Sequence, residues 1–160
     1  MSNAEAIRTL RQSGKHDEAR ELAVQLLAQV SGDAELEYEA ASVHDYLGRE
    51  AEAVPYYLAA ISGDLPPELL RSAFLGLGST YRALGQYDSA VHTLREGLMK
   101  FPDASEIKTF LAMALHNLGD SKQAVELLLV LLAESSNDKH IQSYREAIMF
   151  YARDIEKSWP

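Results

Sequence analysis

Four glycines recur along this chain at nearly constant intervals and constrain its fold more than any other feature. They are Gly14, Gly48, Gly85 and Gly119, and each is followed five residues later by an alanine: Ala19, Ala53, Ala90 and Ala124. Glycine enters the left-handed turn that ends many helices at little steric cost. A small residue early in the next helix lets two helices approach closely. The period of about 34 residues therefore predicts an array of helix pairs.

Composition limits what such an array can do. The chain has 160 residues, is 47% hydrophobic and carries a net charge of −9. Its 15 basic residues are scattered among 24 acidic ones, so they do not form the stripe that nucleic-acid binding needs. It has no cysteine, and its longest apolar run, residues 127–133, is far shorter than the ~20 residues that cross a bilayer. No secretory leader is evident at the start. We expect a cytoplasmic protein that binds neither nucleic acid nor membrane.

The third period is the most regular. Its first helix is predicted over residues 67–84, after two prolines that suit a helix start, and its second over residues 87–100, before Pro102. One set of residues carries the pattern of this period: Phe74, Leu77, Gly78, Tyr81, Gly85, Tyr87, Ala90, Leu94 and Pro102. A bulky residue, a Leu-Gly pair, two aromatics around the turn glycine, an alanine and a closing proline resemble the tetratricopeptide repeat.

This resemblance implies an all-α, right-handed solenoid of about four helix pairs. The repeat units would be residues 1–33, 34–70, 71–104 and 105–138, within a single domain over residues 1–160. The other three units match the repeat less completely. After the N-cap candidates Asn137 and Asp138, residues 139–157 continue helically without a turn glycine, so we predict a C-terminal capping helix there.

Sequence signs of catalysis are weak. The close pair Gly76 and Gly78 lies inside a predicted helix and does not form a phosphate-binding loop. His116 and Asp120 have no third metal ligand nearby, and no serine lies in a recognisable nucleophile turn. We therefore predict no enzyme activity, no metal and no cofactor.

In tetratricopeptide repeat proteins, which this chain resembles, the first helices of successive units line a concave groove that receives a peptide or a helix. The groove-facing positions carried over to this chain are Tyr38, Ser42, Asp45, Tyr46, Leu75, Ser79, Arg82, Phe110, Met113, Asn117 and, less directly, Tyr144. In chaperone-binding members, lysines, an arginine and asparagines in the groove grip a C-terminal carboxylate. The resemblance places Tyr38, Ser42, Ser72, Gly76 and Glu106 at those positions here, so a carboxylate clamp is not expected. Aromatic side chains beside acids such as Glu35 and Glu39 instead favour a protein or peptide partner that is basic.

A homodimer is the alternative function. On the second helix of the fourth unit, Leu129 and Val130 occupy positions expected to face away from the core, next to Leu128 and Leu131, which are expected to be buried. An apolar outer face of this kind predicts self-association through a twofold axis. The sequence does not identify the partner, the pathway or the oligomeric state, or whether the C-terminal helix covers the groove.

Overall fold

The structure, a computed structural model, describes residues 1–160 and contains ten helices and no strand. The helices are α1 (Asn3–Gln12), α2 (His16–Leu27), α3 (Ala34–Tyr46), α4 (Glu50–Ser62), α5 (Pro67–Ala83), α6 (Tyr87–Lys100), α7 (Ser105–Asn117), α8 (Ser121–Ser135), α9 (Lys139–Ser143) and α10 (Arg145–Tyr151). The prediction of an all-α chain is confirmed. None of these helices is both long enough and apolar enough to span a bilayer.

The four periodic glycines end helices as predicted. Their φ angles are 77° at Gly14, 70° at Gly48, 73° at Gly85 and 97° at Gly119, all in the left-handed region. At the first turn, the amide of Lys15 donates to Leu10 O at 2.9 Å and that of Gly14 donates to Arg11 O at 3.1 Å. The same pair of bonds recurs at the other three glycines, so each helix end has the Schellman arrangement that satisfies its last carbonyls.

The chain forms two compact units. Unit 1 is Met1–Gln86 and holds α1 to α5, and unit 2 is Tyr87–Pro160 and holds α6 to α10. The boundary falls between α5 and α6, inside the third predicted repeat. A single domain of four repeats therefore stays a prediction.

In unit 1, each first helix packs against both helices of the preceding pair. The third helix, α3, lies against α1 and α2, and α5 lies against α3 and α4. The first interface buries Ile7, Ala19, Ala23, Leu36, Ala40 and Val43. The second buries Ala34, Ala41, Ala53, Tyr57, Ala60, Leu65, Ala73 and Leu77. Ala19 and Ala53 are completely buried, which agrees with their predicted role at close helix contacts.

Unit 2 begins with the α6, α7 and α8 helices and ends with a segment that departs from the pattern. Residues 139–157 were predicted as one helix, but the structure divides them into α9 and α10 at Tyr144 and leaves the chain non-helical after Tyr151. The backbone at Tyr144, with φ −103° and ψ 8°, lies outside the regular helical region. Within this unit α10 packs mainly on α8.

Candidate functional site

The first helices of unit 1 carry an ion cluster around a buried carboxylate, which the sequence pattern did not reveal. Glu39 of α3 is fully buried, and Arg8 Nε of α1 donates to its Oε1 at 2.7 Å. Arg11 Nη2 donates to the other oxygen, Oε2, at 2.9 Å. Arg8 also lies 3.7 Å from Glu35. The acids expected to attract a basic partner are therefore largely paired with arginines of the same unit, which reduces the charge they offer to a ligand.

Tyr46 is the most exposed of the predicted groove residues in unit 1. Its side chain is 68% exposed at the end of α3, yet its ring stacks on His16 with centroids 3.8 Å apart. Both residues lie beside turn glycines, because Tyr46 precedes Gly48 and His16 follows Gly14. Stacking limits the ring's rotation, so Tyr46 presents a large side chain whose conformation is already restricted.

Asp45 lies beside Tyr46 but has a structural partner. The Tyr57 hydroxyl, from α4, donates to Asp45 Oδ2 at 3.2 Å. Burial is the main cause that raises the pKa of Asp45, while the hydrogen bond from the Tyr57 hydroxyl lowers it less strongly.

We expect Asp45→Asn to raise the denaturation midpoint at neutral pH. A carboxyl whose pKa is higher in the folded state binds its proton more tightly there, so folded-state stability increases as the pH falls through that raised pKa. The variant removes this dependence, and its advantage over wild type should disappear at acidic pH. Thermal denaturation at several pH values measures the difference. Asp64→Asn, at an exposed position in the loop between α4 and α5, is the control. A midpoint difference that does not change with pH would contradict the assignment.

The remaining predicted residues of unit 1 are less prominent. Tyr38 packs against the core cluster of α3, α4 and α5, with its ring 6.4 Å from that of Tyr57. Ser42, Leu75, Ser79 and Arg82 are all partly buried. The structure thus brings Tyr38 and Asp45 together around Tyr57, and it leaves Tyr46 as the main accessible aromatic of this unit.

In unit 2, the predicted residues do not form one cluster. Phe110 is partly buried on α7, Asn117 is exposed at its end, and Tyr144 is 67% exposed between α9 and α10. Met113, 38% exposed, lies instead against α8. There it borders a cavity of about 280 Å³, here called the α7–α8 groove, lined by Ala112, Met113, His116, Ser121, Ala124, Val125 and Leu128.

The positions of the apolar residues on α8 differ from the prediction. Leu131 is buried as expected, but Leu128 is 43% exposed and lines the groove, so the expectation that it is buried was wrong. Leu129 and Val130 are partly buried. Leu128 stays exposed because the closing segment does not cover the groove. That segment is held to α8 by Lys122 Nζ, 2.9 Å from Asp154 Oδ1, and by the Ile155 amide, which donates to Glu126 Oε1 at 3.3 Å, and neither Lys122 nor Glu126 lines the groove.

Two residues of the ion cluster that the sequence analysis did not identify, Arg8 and Arg11, could have been found from the repeat spacing. Arg8 and Arg11 stand six and three residues before Gly14, where Ser42 and Asp45 stand before Gly48. The same rule that identified the later pair could have identified the arginines. The pairing of His16 with Tyr46 had no such signal, because it joins two different helix ends in space.

Known proteins with the same helical-repeat architecture match this chain. The family model described as tetratrico peptide repeat matches residues 34–155. A crystal structure of MamA protein superposes with a TM-score of 0.73 and 16% identity, covering 91% of this chain and 74% of the other. A kinesin-light-chain protein of Podosopora anserina with nearly identical TPR-like repeats superposes with a TM-score of 0.67 and 22% identity, covering 94% and 88%. No curated protein sequence matches the chain.

Proposed function

The chain belongs to the tetratricopeptide repeat family, whose members are generally protein–protein interaction modules, and from that premise we propose that it binds a partner protein without catalysing a reaction. The binding surface would be the first-helix faces that contain the predicted groove residues. The ligand would be an extended peptide or a helix of the partner. A location in the cytoplasm is part of the same proposal.

The observation that carries this proposal is the stacked pair of Tyr46 and His16. An exposed aromatic side chain that is already held in one orientation loses little conformational entropy on binding. Such residues commonly dominate the energy of an interface. Tyr46 combines 68% exposure with a stacking partner at 3.8 Å, which no other aromatic of unit 1 does.

Charge favours a partner segment that is neutral or basic. The chain carries a net charge of −9, which repels acidic ligands over a distance of about 10 Å at 0.1 M salt. Glu39 is paired with Arg8 and Arg11, so it is not free to attract a basic ligand. The preference for a basic segment therefore comes mainly from the net negative charge of the chain. Association with a basic segment should then be faster at low salt, with a moderate dependence.

We expect Tyr46→Ala to weaken peptide binding by about tenfold, because it removes the pre-oriented aromatic anchor. A probe can be obtained by selecting peptides from a displayed random library on the immobilised wild-type protein. Calorimetric titration of the selected peptides into wild type and variant measures the change. Circular dichroism should show unchanged helicity, since Tyr46 is largely exposed.

The matched control is Leu58→Ala, at a residue that is 46% exposed on α4, a second helix, and outside the proposed surface. It should leave peptide affinity unchanged. Phe110→Ala, measured with the same peptides, tests whether the α7 face takes part. Selected peptides that bind both the Tyr46 and Phe110 variants as tightly as wild type would move the binding site elsewhere.

A homodimer is a second candidate function, favoured by the exposed apolar side chains of unit 2. The sequence pointed to Leu129 and Val130 as the dimer face, and both are partly buried. The more accessible apolar residues of the same helix are Val125, Leu128 and Leu132, each between 42% and 43% exposed. Self-association through α8 would therefore use these residues first.

A further inference from the structure

One carboxylate on the first-helix face of unit 1 has no cation beside it. Asp45 of α3 is partly exposed, and the hydrogen bond that it accepts comes from the neutral Tyr57 hydroxyl at 3.2 Å. Burial raises the pKa of Asp45, the negative charge of Glu50 also raises it, and no arginine or lysine lowers it. Asp45 therefore carries a charge that the chain itself leaves uncompensated.

Another carboxylate of the same helix shows what such a group binds when a cation is available. Glu39 accepts from Arg8 Nε at 2.7 Å and from Arg11 Nη2 at 2.9 Å. Arg11 stands three residues before its turn glycine, as Asp45 stands before Gly48. The repeat position that supplies a guanidinium group in the first helix pair therefore holds a carboxylate in the second.

The surroundings of Asp45 suit a guanidinium group. Burial raises the pKa of Tyr57, so its hydroxyl keeps its proton and remains the donor to the Asp45 carboxylate. Ser42 and Tyr38 lie three and seven residues earlier on the same face of α3, and both are partly exposed. A guanidinium has five N–H donors in one plane, so it can bind a carboxylate through two bonds and lie against an aromatic ring, which a lysine ammonium cannot do in the same way.

We propose that the partner segment places an arginine on Asp45 while another of its residues contacts Tyr46. This inference rests on the proposed function and names the chemistry of the ligand. Adjacent residues of a helix point about 100° apart, so Asp45 and Tyr46 would contact different residues of the bound segment. The arginine would supply the cation that Arg8 and Arg11 supply to Glu39.

The cost of Asp45 to the stability of the fold supports a role in binding. A partly buried charge without a cation destabilises the folded state, and asparagine, which has nearly the same shape, removes that cost. Binding sites commonly retain such residues, because the ligand supplies the interaction that the fold lacks. Asp45→Asn should therefore raise the denaturation midpoint and at the same time weaken the binding of an arginine ligand.

The site can be tested before any partner is identified. The probe is N-acetyl-arginine amide, added to the wild-type protein while the pKa of the Asp45 carboxyl is followed by carbon NMR at constant ionic strength. The cation should lower this pKa, because it stabilises the charged form of the carboxyl. N-acetyl-citrulline amide, which has a similar shape and no charge, should leave the pKa of Asp45 unchanged. An equal pKa of Asp45 with both probes overturns the proposal.

The library-selected peptides give the second test. Replacing the arginine of a selected peptide by citrulline should weaken its binding to the wild-type protein by about tenfold, and its binding to the Asp45→Asn variant by no more than about twofold. The Asp64→Asn variant loses the same charge from an exposed loop, so it should keep the full difference between the two peptides. Selected peptides without arginine, or an equal loss on wild type and both variants, overturn the proposal.

This proposal and the proposed function can fail separately. Selected peptides that depend on Tyr46 but contain no arginine would leave the proposed function in place and remove the arginine site. A pKa of Asp45 that falls with the arginine probe, together with peptides that bind the Tyr46→Ala and Phe110→Ala variants as tightly as wild type, would do the reverse. The Asp45→Asn variant should keep the wild-type circular dichroism spectrum, so its weaker binding would not come from unfolding.

Discussion

Replacing Gly76 by alanine should lower the free energy of unfolding by about 2–3 kcal/mol, although alanine is the better helix former. The glycine lies inside α5, and a Cβ added there would fall 2.5 Å from both Cζ and Oη of Tyr57. Tyr57 is 3% exposed and donates a hydrogen bond to Asp45, so its ring cannot move aside without losing packing and that bond. Chemical denaturation measures the change.

The same substitution should have the opposite sign when Tyr57 is first replaced by leucine. Leucine lacks the atoms that approach position 76, so the double variant keeps only the helix-propensity advantage of alanine, about 1 kcal/mol. Ser72→Ala, at an exposed position on the same helix where the hydroxyl donates only to Glu68 O at 3.0 Å, controls for a local change in the helix away from Tyr57. If Gly76→Ala costs as much in the Tyr57→Leu background as in wild type, the contact with the ring is not its cause.

Replacing Ala90 by leucine should destabilise the protein by about 3 kcal/mol through overpacking. Ala90 is completely buried near the start of α6, at the position five residues after the turn glycine. The equivalent Ala124→Leu should cost less, about 1 kcal/mol, because Ala124 borders the open α7–α8 groove, which can take up part of the larger side chain. The difference between the two midpoints of denaturation is the quantity to measure.

Ala51→Leu is the control for this pair, since Ala51 is exposed on α4 and leucine there should have almost no effect. Equal destabilisation by Ala90→Leu and Ala124→Leu would mean that the groove does not relieve the added volume. If both variants unfold at the wild-type midpoint, Ala90 and Ala124 do not lie at close helix contacts.

The helix ends and the buried alanines could be predicted because each depends on residues close together in sequence. A glycine that adopts a positive φ angle closes its turn with amides and carbonyls no more than five residues apart, whatever surrounds it. The 34-residue repetition then supplied the pairing of neighbouring helices, since identical turns at identical intervals favour identical packing. Tyr46 could be identified as an exposed aromatic for the same reason, by its place relative to Gly48.

The state of the candidate site depended on contacts between distant residues. The sequence showed Glu39 as an acid on the groove side, but only the approach of α1 to α3 pairs it with Arg8 and Arg11. Likewise Gly76 looks like a weak point in a helix until Tyr57 is seen to occupy the space that its missing side chain leaves. Charge and volume at such positions are set by neighbours about 20 to 30 residues away, which no local pattern records.

The run of apolar residues on α8 shows where sequence information ends. Repetition and local chemistry determined that α8 exists, where it begins and that Leu131 faces inward. Which of its other sides meets water depended on where the closing segment lies, and that segment follows no repeat pattern. The segment is held to Lys122 and Glu126, neither of which lines the groove, so Leu128 is left exposed there, while Leu129 and Val130 are partly buried. An apolar side chain is buried only by what packs over it, and that is decided by the tertiary structure.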